Sequence, residues 1–388
     1  MPDSLTSLHA LLVCMVMILT LFVGFAIEHT GTQVLQEAGT ALLIGMGGGY
    51  VIYLYQTSVE AAEGLDQDLA NATTVSFLHF DNDVFFNFIL PPIIFSAGYT
   101  MRKRKFFSNF GTIILLGVIG SIVTVIGISA CLYALQVYIP GLCSGRQPDP
   151  DAPGYQNDAM DCIILGTILC NVDLVATLSV MSPTETPQLY SILFGEGVIN
   201  DAVSIVLFDA SLKVASDRAT GGSSNDGWSA TILEILGHFV LLLFASTALG
   251  VLCGLVCCFF FKRTRVAKDT KRAVAIFALF AYSSYLVAEV LEMSGIMSVF
   301  FCGVVMAHYN WYNLSASARL VTSQIFQAIS YACEMFVFCY MGVSVWTLSF
   351  EPTLPRHVNK GYAQWSPQLI AASCLATWLV RGFVVTTQ

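Results

Sequence analysis

Eleven apolar runs, most of them near the length of a membrane-crossing helix, dominate this chain. They fall at roughly 9–27, 37–55, 82–99, 110–139, 159–181, 189–211, 231–261, 273–291, 295–309, 325–348 and 367–385. Lys and Arg are almost absent from them. In hydrocarbon every backbone N–H and C=O must find a partner, so such runs fold as helices and not as lipid-facing loops. The expected fold is an all-α polytopic membrane protein. Composition agrees: 56% of the residues are hydrophobic and 11% charged, where a soluble domain has about 25% charged. The formal net charge of −9, with no basic patch on a soluble fold, argues against a nucleic-acid partner. Of the twelve cysteines, only Cys143 sits in an obvious loop. Others, such as Cys131, Cys170, Cys253, Cys257, Cys258 and Cys302, lie in or beside apolar runs. No C-x-x-C pair and no His/Cys zinc spacing occurs, so neither a disulfide framework nor a zinc site is indicated.

Two runs need separate treatment. The leader MPDSLTSLHA carries no Lys or Arg, and Leu11 to Ile27 exceeds a usual signal core, so the first run reads as a retained helix. The short run 295–309 is bounded by Ser294-Gly295 and His308. It reads as a helix shielded by protein along its length.

The positive charges orient the chain. One set of alternate loops carries Arg102, Lys103, Arg104, Lys105, Lys262, Arg263, Arg265, Lys268, Lys271, Arg272 and Arg319; the opposite set carries Arg146, Lys213, Arg218, Arg356 and Lys360. The first set is therefore cytoplasmic. The N-terminus is then outside or lumenal, and residue 388 ends near the cytoplasmic face. Segments 56–80 and 140–158 fall outside, and the sequon Asn71-Ala72-Thr73 makes Asn71 a glycosylation candidate there. Asn313-Leu314-Ser315 falls on the cytoplasmic side and is discounted.

Ionisable groups within runs are the informative residues, because each costs on the order of 2.5–3.5 kcal/mol at a helix centre. They are Asp173, Glu196, Asp201, Asp209, Glu289, Glu334 and Arg381. Asp209, Glu289 and Glu234 lie near run ends, where an interfacial carboxylate is the plain reading. The stretch Leu193 to Ser204 concentrates polarity in mid-run. Asn200 and Asp201 are adjacent, and Ser204 lies one turn beyond Asp201. Glu196 is about 140° around the helix from Asp201, so the two carboxylates need not share a partner. A buried carboxylate that holds either a proton or a hard cation such as Na⁺ is the minimum chemistry of an antiporter; a cluster of helix–helix hydrogen bonds is the structural alternative. A second constellation runs from Cys170 and Asn171 through Asp173 to Thr177. Its mid-run polarity fits a discontinuous helix lining an ion site, or an Asp hydrogen-bonded to a neighbouring helix.

These residues resemble the eukaryotic sodium/proton exchangers of the monovalent cation/proton antiporter superfamily, most nearly the endomembrane (Golgi and endosome) branch. Four stretches carry the resemblance. Phe85 to Tyr99, with Leu90-Pro91-Pro92-Ile93 at its centre, continues through Phe106-Phe107 to Gly111-Thr112-Ile113. Phe194-Gly195-Glu196 is followed by Asn200-Asp201-Ala202-Val203. Phe301-Cys302-Gly303 precedes Ala307-His308-Tyr309 and Asn313-Leu314-Ser315. Glu334 leads into Phe336-Val337-Phe338 and Gly342-Val343-Ser344. The resemblance implies that Asp201 is the transport carboxylate, holding H⁺ or Na⁺ (or K⁺), with Asn200 beside it. It places Asp173 and Asn171 on the unwound crossing helix and pairs Glu196 with Arg381. It implies an inverted-repeat antiporter fold of thirteen spans with discontinuous crossing helices and a mobile core working against a dimerisation domain. The assembly it implies is a homodimer in an endomembrane or the plasma membrane, with monovalent cations, protons and membrane lipid as partners and no cofactor.

The chain departs from the family pattern in three places. Leu174 follows Asp173 where the family usually has Pro, leaving Asn171 and Asp173 to unwind that helix. Gly197 stands where the family usually has Ser. The chain ends seven residues after Arg381, so about eleven of the thirteen spans are expected in it. The expectation is one exchanger domain over 1–388, truncated at its C-terminus, without a cytoplasmic regulatory tail. The expected function is electroneutral Na⁺(K⁺)/H⁺ exchange by alternating access, and the alternative is a truncated, non-transporting or dominant-negative exchanger subunit. Catalysis fits less well. The Gly-x-Gly-Asp signature of aspartyl intramembrane proteases is missing, as is a glycine-framed Ser/His pair. A passive channel lacks the ring of repeated acidic residues it would need.

Overall fold

The computed structural model describes residues 4–30, 37–62, 84–101, 103–138, 158–171, 186–219, 228–264, 266, 269–349 and 367–387. Among these residues there is no strand, and the chain is a succession of helices. They are α1 (Ser4–Thr30), α2 (Glu37–Ala62), α3 (Phe85–Thr100), α4 (Lys103–Ser108), α5 (110–138), α6 (Asp158–Leu169), α7 (Pro187–Ala219), α8 (Trp228–Arg263), α9 (Thr270–Val290), α10 (Gly295–Asn313), α11 (Ala316–Ser349) and α12 (Pro367–Thr387). Each apolar run overlaps one of them, and of the run 159–181 the described part ends at residue 171. Among the described residues five stretches are long and apolar enough to cross a membrane: Phe110–Gln136, Gln188–Ala215, Ile235–Arg263, Thr270–Val290 and Ala316–Val345. The apolar helices Cys14–Ile27, Phe85–Thr100, Ala159–Leu169 and Leu369–Gly382 are shorter. Large side chains such as Phe22, Phe25, Leu241, Phe244, Phe259 and Trp378 are exposed, as suits surfaces solvated by lipid. This is an all-α, multi-pass membrane protein.

Two helices widen locally into π turns. The first, Phe85–Ile89, directly precedes Leu90-Pro91-Pro92. Proline has no N–H to give and its ring crowds the carbonyl four residues back, so a wider turn there relieves the clash. The second, Leu115–Gly120, interrupts α5. Hydroxyls take up carbonyls in it: Thr124 Oγ1 donates to Gly120 O at 2.8 Å and Ser121 Oγ lies 2.5 Å from Gly117 O.

The chain forms two compact units. Residues 1–96 and 322–359 make the first. In it Gly45 of α2 lies so close to α11 that an added Cβ would overlap the Cys339 carbonyl, while Gly342 of α11 faces the Leu42 carbonyl and Met46 N. Small residues let two backbones approach this closely, which is how helices gain packing energy without a hydrophobic drive. Tyr331 donates to the Glu37 carboxylate at 2.8 Å, and the Phe95 and Phe326 rings meet at 4.6 Å.

Residues 97–321 and 360–388 make the second unit. Its α10 is the short run expected to be shielded, and 12 of its 19 residues are buried. Ser294 caps it by accepting from Met297 N, and Ser294 N donates to Ser246 Oγ of α8 at 2.9 Å. Ser284 of α9 and Ser298 of α10 share a hydrogen bond of 3.0 Å. Elsewhere in the unit, Ile128, Leu132, Cys162, Ala372 and Ala376 join α5, α6 and α12 in one apolar cluster. Met160, Ala210, Val214 and Ile235 join α6, α7 and α8 in another. These two clusters hold the four helices on which the polar site is built.

The glycine contact supplies a stability test within one helix. Gly45→Ala forces α2 and α11 apart and is expected to cost about 1–3 kcal/mol, the usual range for overpacking. Gly47, which has no neighbour within 4 Å of an added Cβ, accepts alanine with no loss. A thermal melt of the detergent-solubilised protein checks this: equal melting temperatures for the two variants would contradict the close α2–α11 approach.

Candidate cation and proton site

The site begins where α6 stops. Cys170 N still bonds to Gly166 O at 3.1 Å, but Asn171 N reaches only Ile168 O at 3.4 Å, and Asn171 has left the helix. The last carbonyls of any helix have no partner within it and carry the negative end of its dipole. At Cys170 two other helices supply donors. Asn200 Nδ2 of α7 donates to Cys170 O at 3.4 Å, and the Arg381 guanidinium of α12 donates to the same oxygen. A carbonyl has two lone pairs, so it accommodates both.

Asn200 is buried, and its other end is also engaged. Ser121 Oγ of α5 lies 2.5 Å from Asn200 Oδ1. The amide orientation follows from its partners. The Cys170 carbonyl can only accept, so Asn200 must turn its nitrogen there and its oxygen to the Ser121 hydroxyl. One continuous polar chain thus joins α5, α7, α6 and α12: Ser121, Asn200, Cys170 O, Arg381. Next to it on α7, Asp201 is half-buried, and the charges of both Asp201 and Arg381 act on Cys170. Gly117, on the π turn of α5, makes room for this arrangement. An added Cβ there would come within 2.8 Å of Ile199 Cγ2 and 3.3 Å of Glu196 O.

The chain matches the sequence profile of the sodium/hydrogen exchanger transmembrane region over residues 16–388. It belongs to the sodium/hydrogen exchanger family. Sodium/hydrogen exchanger 4 of Arabidopsis thaliana is 37% identical over 349 residues, which are 87% of this chain and 59% of that relative. Sodium/hydrogen exchanger 1 of Oryza sativa subsp. japonica is 37% identical over 310 residues, 79% of this chain and 51% of the relative. Sodium/hydrogen exchanger 9 of Equus caballus is 31% identical over 312 residues, 79% and 46% respectively. The chain spans about half the length of these relatives. The family consists of ion transporters and not enzymes.

Set against this exchanger scaffold, the residues singled out in the sequence divide. Asn200, Asp201, Asn171 and Arg381 come together around the end of α6. Ser204 Oγ is buried and donates back to the Asp201 backbone carbonyl at 2.9 Å. Asp173 and Asn71 lie outside the described residues. Glu196 and Arg381 influence each other electrostatically, but they form no contact ion pair, and the guanidinium is bonded to Cys170 O. The physical reason is that a helix C-terminus is itself an anionic partner for a cation. Two participants escaped the sequence reading. Ser121 carries no charge, and the Cys170 partner is a backbone oxygen. The only sequence trace of either is a hydroxyl inside an apolar run and the polar Asn171 that ends a helix.

The bonding of Arg381 is testable. A hydrogen bond to a charged group contributes about 1.5–3 kcal/mol, so Arg381→Ala is expected to lower the melting temperature and expression. Arg381→Lys, which keeps a charged donor, should retain more of both, and Glu196→Gln should cost less than Arg381→Ala. Equal losses for Glu196→Gln and Arg381→Ala would point to a direct carboxylate–guanidinium pair as the dominant bond.

Proposed function

We propose that this chain carries the exchange site of an electroneutral Na⁺(K⁺)/H⁺ antiporter, with Asp201 as the carboxylate that holds a proton or a cation in turn. The observation that carries the reading is the position of Asp201. It is a half-buried acidic side chain well inside the 33-residue apolar helix α7, beside an asparagine bonded into two other helices. An ionisable group so placed is costly and is retained where it has work to do. Carboxylate oxygens suit a hard cation, and a neutral carboxylic acid is the alternative state once the cation leaves. A single carboxylate that trades one H⁺ for one monovalent cation moves no net charge. Asn171, Asp173 and Ser204 are the further proposed contributors to the cation site.

Alternating access is the proposed mode of exchange, and the same connections support it. The polar chain ties α5, α6, α7 and α12 to one another, so these helices move as one body and carry the site between the two faces. A homodimer is the proposed assembly, and a Golgi, endosomal or plasma membrane the proposed location.

Flux in proteoliposomes tests the reading. Asp201→Asn removes ligand charge and proton capacity together but keeps the shape. Na⁺-driven proton movement is expected to vanish while insertion and the melting temperature stay near those of the unmodified protein. Undiminished flux in that variant would overturn the assignment, and a current driven by membrane potential in the unmodified protein would overturn electroneutrality.

A further inference from the structure

We infer that Ser121 is a positioning residue for the exchange site: through it α5 sets the orientation of Asn200 and so holds the adjacent Asp201 in register with the end of α6. This rests on the exchange reading above and adds to it a residue outside α6 and α7. The argument starts from burial. Ser121 is 4% exposed and Asn200 6%, so water has little access to replace a lost bond. Asn200 Nδ2 is committed to Cys170 O, which leaves Oδ1 as an acceptor that needs a donor. The Ser121 hydroxyl, at 2.5 Å, supplies it.

The backbone of α5 is shaped to deliver that hydroxyl. The π turn Leu115–Gly120 ends at the residue before Ser121. A π turn absorbs one extra residue, so it rotates the side chains that follow by about 100° relative to an uninterrupted α-helix. Gly117, four residues before Ser121, admits the close approach of α7 at Glu196 and Ile199. The hydroxyl has one proton and two acceptors within reach, Asn200 Oδ1 and its own helix's Gly117 O, also at 2.5 Å. A serine in an apolar helix ordinarily spends its proton on the carbonyl four residues back. Here the buried amide oxygen competes for it, and without the serine that amide oxygen loses its donor. Alanine at 121 therefore frees the Asn200 amide to turn and loosens the stretch of α7 that carries Asp201.

The test measures Na⁺ KM, maximal rate and melting temperature for the exchanger in proteoliposomes. Ser121→Ala is expected to raise the Na⁺ KM about tenfold, the scale of one unsatisfied buried acceptor, with a smaller change in maximal rate. Ser121→Thr, which keeps the hydroxyl, recovers most of the affinity, and Ser121→Cys, nearly the same size with a weak donor, falls between. Asn200→Ala raises KM at least as far, and adding Ser121→Ala to it raises KM no further, because the two act through one bond. An unchanged KM in Ser121→Ala with only a lower melting temperature overturns the inference, as do additive effects of the two alanine changes. Should Ser121→Ala not fold, Ser121→Cys alone decides it: raised KM supports the inference and unchanged KM overturns it. Asp201→Asn is measured alongside. If it abolishes exchange while the Ser121 variants match the unmodified protein, only this inference fails; if it exchanges normally, the assignment of Asp201 fails.

Discussion

The carbonyl oxygen of Cys170 is the point on which the site depends. It is exposed by the end of α6, and a bare carbonyl inside a membrane protein is costly unless donors reach it. Asn200 and Arg381 both do, and each comes from a different helix. The demand of one backbone atom thus brings α7 and α12 to the place where α6 ends. It also gives a cation in an apolar helix a partner: Arg381 faces the negative end of the α6 dipole, a partial charge of about half a unit, and the Glu196 charge acts on it as well.

The second constraint is the approach of α5 to α7. Gly117 and the π turn before Ser121 allow the two backbones to lie close enough for a serine hydroxyl to reach an asparagine on the neighbouring helix. Asn200 is thereby held at both ends, and the geometry gives it the character of a tie between helices. Asp201, one residue on, has a fixed base and a half-buried carboxylate. For the proposed exchange this division is useful. One residue sets position through bonds that persist, and the next carries the proposed exchangeable ion.

The architecture was legible from hydrophobic run length, because apolar helices in lipid are dictated by backbone pairing and little else. The shielding of α10 was legible too, from Ser294-Gly295 at one end and His308 at the other. The end of α6 was signalled by Asn171 inside an apolar run, although the sequence does not mark Cys170 as the residue whose oxygen is left over, since a backbone acceptor belongs to every residue alike. Ser121 was not legible. A serine that bonds back to its own helix costs little in an apolar run, so its presence says nothing about a neighbour until the neighbour is placed. The π turn of α5 has the same character: two glycines permit it, and the packing of α7 makes use of it. For Arg381 the sequence suggested an acidic partner, because opposite charge is the partner a sequence can display and a helix terminus is not.

Locating the cation itself tests the account most directly. Thallium, a monovalent cation with a strong anomalous signal, can be diffused into crystals of the protein at a pH where the carboxylates are ionised. The account predicts an anomalous peak against the Asp201 carboxylate near the end of α6, with Asn200 still bridging Ser121 and Cys170, and no such peak in Asp201→Asn crystals. A peak that stays in place without the Asp201 charge, or that lies instead beside Asp209 and Glu289, would contradict it.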